Sequence, residues 1–248
     1  MNTLIRAELM KLRTLRSFWW TVAATLAFVP VSIAISMHGG AGSPGIETTE
    51  GFRNVMAAAS SGAVLMLIIG ILMMAGEFRH NTVTSTLLIT PDRKRMVAAK
   101  LAASGLVGVA VGIVASLLTL AIAVPWLAQR DIDLGAHGTD ILVVLAGGIA
   151  ATTLGALMGV GLGALMTNQT FAVTATLVWV FVVESLLGNF ASGIGRFFPG
   201  AAASAMSSVA PPLSGDTLPF WIAGLLFAGY ALVVTQAGTR LVVRRDIA

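Results

Sequence analysis

Apolar residues in this chain gather into six long stretches separated by short polar segments, at residues 18–37, 55–75, 97–124, 141–166, 170–190 and 218–239. Each meets or exceeds the roughly 20 residues that a helix needs to cross about 30 Å of hydrocarbon. The pattern predicts an all-α polytopic membrane protein with six transmembrane helices. Little chain lies outside these stretches, so one transmembrane domain over residues 1–248 is expected, with no separate soluble domain. A cleaved signal peptide is the competing reading of the first stretch. Its apolar run is longer than the roughly 7–15 residues of a signal core, and Ser36-Met37-His38-Gly39 lacks a small-residue cleavage pattern.

Six crossings place the connecting segments alternately on two sides. Of the 15 Lys and Arg, 12 fall on the side holding the N-terminus, and only Arg53, Arg130 and Arg196 fall on the other. The acids lean the opposite way, with Glu47, Glu50, Asp131, Asp133, Asp140 and Asp216 on the sparsely basic side. The positive-inside rule then puts both termini in the cytoplasm of a cell inner (plasma) membrane. The basic pI, near 10.3, therefore reports membrane orientation and gives no support for nucleic-acid binding. Composition agrees: 56% of residues are hydrophobic and 10% charged, against about 25% charged in ordinary soluble domains. With no Cys in the chain, disulfides, thiolate catalysis and Cys-based metal sites are excluded.

Residues 2–16 precede the first apolar stretch. On a helical wheel Leu4, Ile5, Leu9, Leu12 and Leu15 fall in one arc, with Arg6, Lys11 and Arg13 on the rest of the circumference. That is an amphipathic helix suited to the headgroup layer and to membrane lipid; the plainer reading is a basic flank that orients the first span. Glu8 breaks the pattern by sitting inside the apolar arc. Pairing with Lys11 at i+3, or with a basic group on a partner, would account for it. Trp19 and Trp20 follow as interface anchors.

Between the second and third stretches, residues 76–96 form a loop on the basic side. Thr90 is expected as an N-cap with Pro91 at the first helical position, and Asp92 suits the helix dipole there. Val83, Leu87 and Leu88 leave room for a short helix along the membrane surface, a docking knob for a cytoplasmic partner. Gly76-Glu77-Phe78-Arg79, Thr82, Leu87-Leu88-Ile89-Thr90-Pro91-Asp92-Arg93 and the closing Ala99-Lys100 resemble the first cytoplasmic loop of ABC-2-type transporter permeases. Asn81 stands where members often carry Gly. Glu8-Leu9-Met10-Lys11-Leu12-Arg13-Thr14 resembles the opening of that family's bacterial exporters, and Arg244-Arg245-Asp246 its close.

The resemblance implies a permease that binds no cofactor itself and pairs with a second permease, identical or homologous. Two copies of a cytoplasmic ABC ATPase subunit would bind ATP and Mg. It implies that Glu77, Phe78, Arg79, Thr82, Leu87 and Leu88 form the ATPase-coupling segment, with Glu77 and Arg79 as its polar contacts. The interfacial helix, with Glu8, Lys11 and Arg13, would pack beside it. Independently, a P-loop requires Gly-Lys-Ser/Thr, whereas Lys11, Lys94 and Lys100 are followed by Leu, Arg and Leu.

Within the fourth stretch, Gly147, Ala151, Gly155, Gly159 and Gly163 line one helix face; Ser104, Gly108, Gly112 and Ser116 repeat the device in the third. Small-residue faces let backbones approach closely, in a bundle interior or at a subunit interface. Glu184 is the only ionisable residue expected inside a span. It is either a brace for the bundle, against Arg196 for instance, or a functional gate element. Residues 191–217 are too apolar for a free loop and too broken for a crossing. They predict short re-entrant outer helices that include Arg196 and Pro199. No catalytic set and no metal site is expected: His38, His80 and His137 are isolated in different loops, and no Gly-x-Ser-x-Gly occurs.

The reading favoured by these features is the permease subunit of an ATP-binding-cassette exporter for a hydrophobic or amphiphilic substrate. The alternative is an ion-gradient-driven secondary transporter or channel, which calls for several membrane-embedded acids. An integral membrane enzyme lacks a nucleophile–base set.

Overall fold

The computed structural model describes residues 1–38, 45, 48–79, 92–130, 138–190, 192–207 and 218–244. Thr82, Leu87 and Leu88 lie outside these residues. Regular structure among them is helical, with no strand, and six helices are long and apolar enough to cross a membrane.

Helix α1 (Asn2–Thr14) is followed by the first span, α2 (Arg16–His38). The predicted helix over 2–16 stops two residues early. Leu15 takes an extended conformation (φ −83°, ψ 119°) and is 43% exposed instead of joining the apolar arc, because the chain has to swing from α1 into α2 there. The second span is composite: α3 (Thr49–Met56), a 3-10 turn (Ala57–Ser60), then α4 (Ala63–Arg79). Next come α5 (Arg93–Ala128) and α6 (Gly138–Leu165). The cap of α5 differs from expectation. Asp92, not Thr90, is the N-cap, its Oδ1 accepting from the amides of Lys94 at 3.0 Å and Arg95 at 3.2 Å. Thr90 and Pro91 lie outside the described residues. The fifth span is α7 (Gln169–Val178), a π-helical turn (Trp179–Val183) and α8 (Glu184–Phe190); after the short helices α9 (Ser192–Gly195) and α10 (Pro199–Met206), α11 (Phe220–Arg244) is the last span.

α6 is the central post, packed against α4, α5 and α11. Its small residues make this possible. A Cβ on Gly159 would collide with the Leu67 carbonyl and stand 2.9 Å from the Gly70 Cα, so the two glycines face each other across touching backbones. On another face a Cβ on Gly161 would meet the Thr235 amide nitrogen of α11 at 2.7 Å. The looser stripe on α5 does the same: Gly108 lies against Thr153, where a Cβ would come within 2.7 Å of its Cα. Both small-residue faces thus serve the interior of this bundle.

At the end of the bundle opposite the N-terminus, Phe52, Val55 and Met56 of α3 pack with Val29, Ile33, Leu127 and Val144. The Arg53 guanidinium is clamped to Asp140 in the first turn of α6, with an Nε–Oδ1 distance of 3.0 Å. α10 folds back along α11, burying Ala202, Ala205 and Met206 against Ala223, Phe227 and Ala231. Tyr230, about 15 Å along α11 from Phe220 at 1.5 Å per residue, donates its hydroxyl to the Phe197 carbonyl at 2.8 Å. The backbone around Phe197 therefore sits well below the end of the last span.

Candidate functional site

The end of the bundle that carries the N-terminus holds a closed group of four charges. Lys100 lies two turns into α5, its side chain 1% exposed. A lone buried ammonium is strongly unfavourable, so its three donors need acceptors. They find three: Glu8 Oε2 at 2.7 Å, Glu77 Oε1 at 2.8 Å and the Met73 carbonyl at 3.3 Å. Lys11 closes the ring from the solvent side, reaching Glu8 Oε1 and Glu77 Oε1 at 2.9 Å each. Two carboxylates and two ammonium groups make the cluster neutral. It joins α1, the last turn of α4 and the first turns of α5.

Local sequence positions each member. The apolar arc of α1 seats Ile5, Leu9 and Leu12 against Phe18, Met66, Met73 and Ala103. That docking carries Glu8, on the same arc, down to Lys100. The acid out of place on α1 and the lysine out of place on α5 are thus matched. Burial raises the Glu8 carboxyl pKa, but the Lys100 charge and the hydrogen bonds from Lys100 and Lys11 outweigh it and leave the pKa below the usual carboxylate value. For Lys11, burial works against the charge, and hydrogen bonds to Glu77 and Glu8 with their charges more than offset it, so its pKa is raised.

The other predicted residues divide. Glu77, expected beside Arg79 as a polar contact for a partner, turns inward to the lysines and is buried. Phe78 packs onto the cluster of Met74, Met96, Val97 and Val242. Arg79 is exposed at the end of α4. Arg13 is exposed too, its carbonyl accepting from the Trp19 indole at 2.9 Å. Lys100 was not singled out by the sequence except as the end of a motif. The signal in the sequence is partial: a lysine followed by an apolar run, and far from it an acid in an apolar arc.

At the far end Glu184 does not pair with Arg196. Its Oε2 accepts from the Gly200 amide at 2.9 Å, with Trp179 and the Ala201 amide also turned to the carboxylate. Pro199 occupies the first turn of α10, where missing one N–H costs nothing, and the following free amides meet the acid. A side chain on Gly200 would displace the carboxylate. Arg196 instead stacks its guanidinium over Phe197, 5.1 Å from the ring centroid. Glu184 ties the end of the fifth span to the re-entrant helix. No cluster of His, Asp or Glu able to hold a metal occurs among the described residues.

Comparison with protein families matches residues 4–183, well over half of the chain, to the family described as ABC-2 family transporter protein. The matched region contains all four members of the charge cluster and runs from α1 to the π-helical turn. No curated protein matches the chain. Six membrane-length helices, an amphipathic helix docked across the mouth of the bundle and this match identify the chain as a multi-pass membrane protein belonging to the ABC-2 transporter family.

Proposed function

We propose that this chain is the permease subunit of an ATP-driven exporter, lying in the cell inner membrane with both termini in the cytoplasm. The family implies association with ABC ATPase subunits. On this reading two of them act on a pair of permeases, identical or homologous, and hydrolyse ATP with Mg outside this chain. The observation that carries the proposal is the neutral four-charge cluster. It fastens the start of the chain, the helix leading into residues 80–91 and the start of α5 into one unit. A push delivered to the 80–91 segment by a partner would move α4, α1 and α5 together, instead of bending one loop. Arg79, exposed at the root of that segment, is the polar contact offered to the ATPase. The 12-to-3 split of basic residues supports the orientation. The cargo is a hydrophobic or amphiphilic molecule such as a drug, antibiotic or lipid-like compound, in keeping with a membrane interior poor in charge.

Inverted membrane vesicles carrying the chain and its ATPase, given a hydrophobic fluorescent dye from outside, test this. ATP should drive dye accumulation that survives a protonophore and falls at least about tenfold in Arg79→Glu, the loss equivalent to about 1.4 kcal/mol. Accumulation that collapses with the proton gradient and ignores ATP would support the secondary-transporter reading instead.

A further inference from the structure

A groove of about 520 Å³ opens between the first turns of α5 and the last turns of α11, at the same end of the bundle as the charge cluster but on its outer flank. Lys94, Arg240 and Arg244 line it. None of the three makes an ion pair with a carboxylate among the described residues. Three cations around one cleft repel each other, and an anion seated among them removes that repulsion. Gln236 adds an uncharged donor beside them, the Thr239 hydroxyl being given to the Thr235 carbonyl at 2.7 Å, while Leu101 and Val243 supply apolar wall. The walls are fixed, since Arg93 Nη1 donates to the Val242 and Val243 carbonyls at 3.0 and 3.2 Å, stapling α5 to the end of α11.

The direction in which the groove continues decides the class of anion. On α11, Leu232 precedes Gln236 and Arg240 at helical spacing on one face. Leu225 and Leu232 are exposed large hydrophobic residues in a span, as is Val109 on α5, two turns beyond Leu101. A basic cleft thus opens onto an apolar track that the bilayer covers. A phosphate with acyl chains fits both parts, a free phosphate only the first. We propose that this groove is a binding site for an anionic phospholipid, whose phosphate sits among Lys94, Arg240 and Arg244 and whose chains run along α11 toward Leu232. The site lies apart from the coupling cluster and does not depend on the identity of the exported cargo.

The chain has no Cys, so Thr239→Cys gives a single attachment point for a fluorophore in the groove. The full chain is reconstituted in phosphatidylcholine vesicles, and quenching by brominated phosphatidylglycerol is compared with quenching by brominated phosphatidylcholine. Each cation near a membrane surface favours an anionic lipid by about fivefold, so the labelled chain should prefer phosphatidylglycerol by at least about tenfold. Arg240→Gln with Arg244→Gln should leave no more than the preference of about fivefold that Lys94 alone supplies, and Lys94→Gln alone should lower the preference by about fivefold should the double variant fail to insert. Arg6→Gln with Arg16→Gln, which removes equal charge outside the groove, should leave it unchanged. Equal quenching by the two lipids, or equal loss in that control, would overturn the proposal. So would full displacement of the lipid by millimolar inorganic phosphate, and so would a preference that disappears in the intact complex with its partner subunits.

Discussion

Lys100 brings three donors into a space with three acceptors, and that match explains how a charged group is kept among Met73, Ala103 and the other apolar residues of this end of the bundle. Buried pairs of this kind stabilise little as a whole, but breaking one leaves an uncompensated charge. Lys100→Met should therefore leave Glu8 and Glu77 crowded on Lys11 alone and lower stability by about 3–5 kcal/mol. Glu8→Leu combined with Lys100→Met leaves the neutral Glu77–Lys11 pair and should recover most of that loss. Thermal unfolding of the purified chain, with Glu8→Leu alone measured beside them, checks both; losses that add in the double variant would mean that the charges do not act on each other. At this scale the sequence was half legible. Glu8 stood out because it interrupts a helical arc, a local pattern. Its partner was 92 positions away, and only the docking of α1 on α5 reveals which lysine it meets. Glu77 was legible as important but not in direction, since a motif at the end of a span does not say whether a side chain turns out or in.

Elements were legible where they rest on periodicity. The small residues of α6 recur every four positions, which is one helix face whatever the surroundings, and that face is where α4 touches. Gly159→Ala should force the backbones of α6 and α4 apart and cost about 1–3 kcal/mol. Gly229→Ala on α11, where a Cβ would meet nothing within 4 Å, should be neutral or gain up to about 1 kcal/mol from lower unfolded-state freedom. Unfolding of the two variants side by side measures the difference, and similar behaviour would show that close approach is not what the stripe provides. The irregular elements were not legible. The 3-10 turn at Ala57–Ser60, the π-helical turn at Trp179–Val183 and the exit at Leu15 answer to neighbouring helices and carry no breaker residue of their own. In the sequence Asp92 reads only as an acid suited to the helix dipole, with Thr90-Pro91 as the start of α5. A carboxylate accepting two amides is what decides between them.

The molecule as a whole divides into two ends. One end gathers the basic residues, the four-charge cluster and the exposed Arg79; the other holds the Arg53–Asp140 clamp and the re-entrant helix tied down by Glu184. Span number and fold class followed from hydropathy alone, because the bilayer imposes a length that soluble folds do not have. The re-entrant segment was legible as broken and apolar, but its anchor was not, since an acid meeting backbone amides leaves no mark in the sequence. On the function proposed above, this membrane chain is driven by ATP hydrolysed on another subunit. Isolating the chain from its native membrane in mild detergent and assaying the preparation for bound ATP-binding subunits tests it most directly. The account predicts that such subunits come with it, that the complex hydrolyses ATP, and that Arg79→Glu weakens their retention at least about tenfold, a change of about 1.4 kcal/mol. A chain that purifies alone, folded and without ATP hydrolysis, from membranes in which it is active in transport would contradict it.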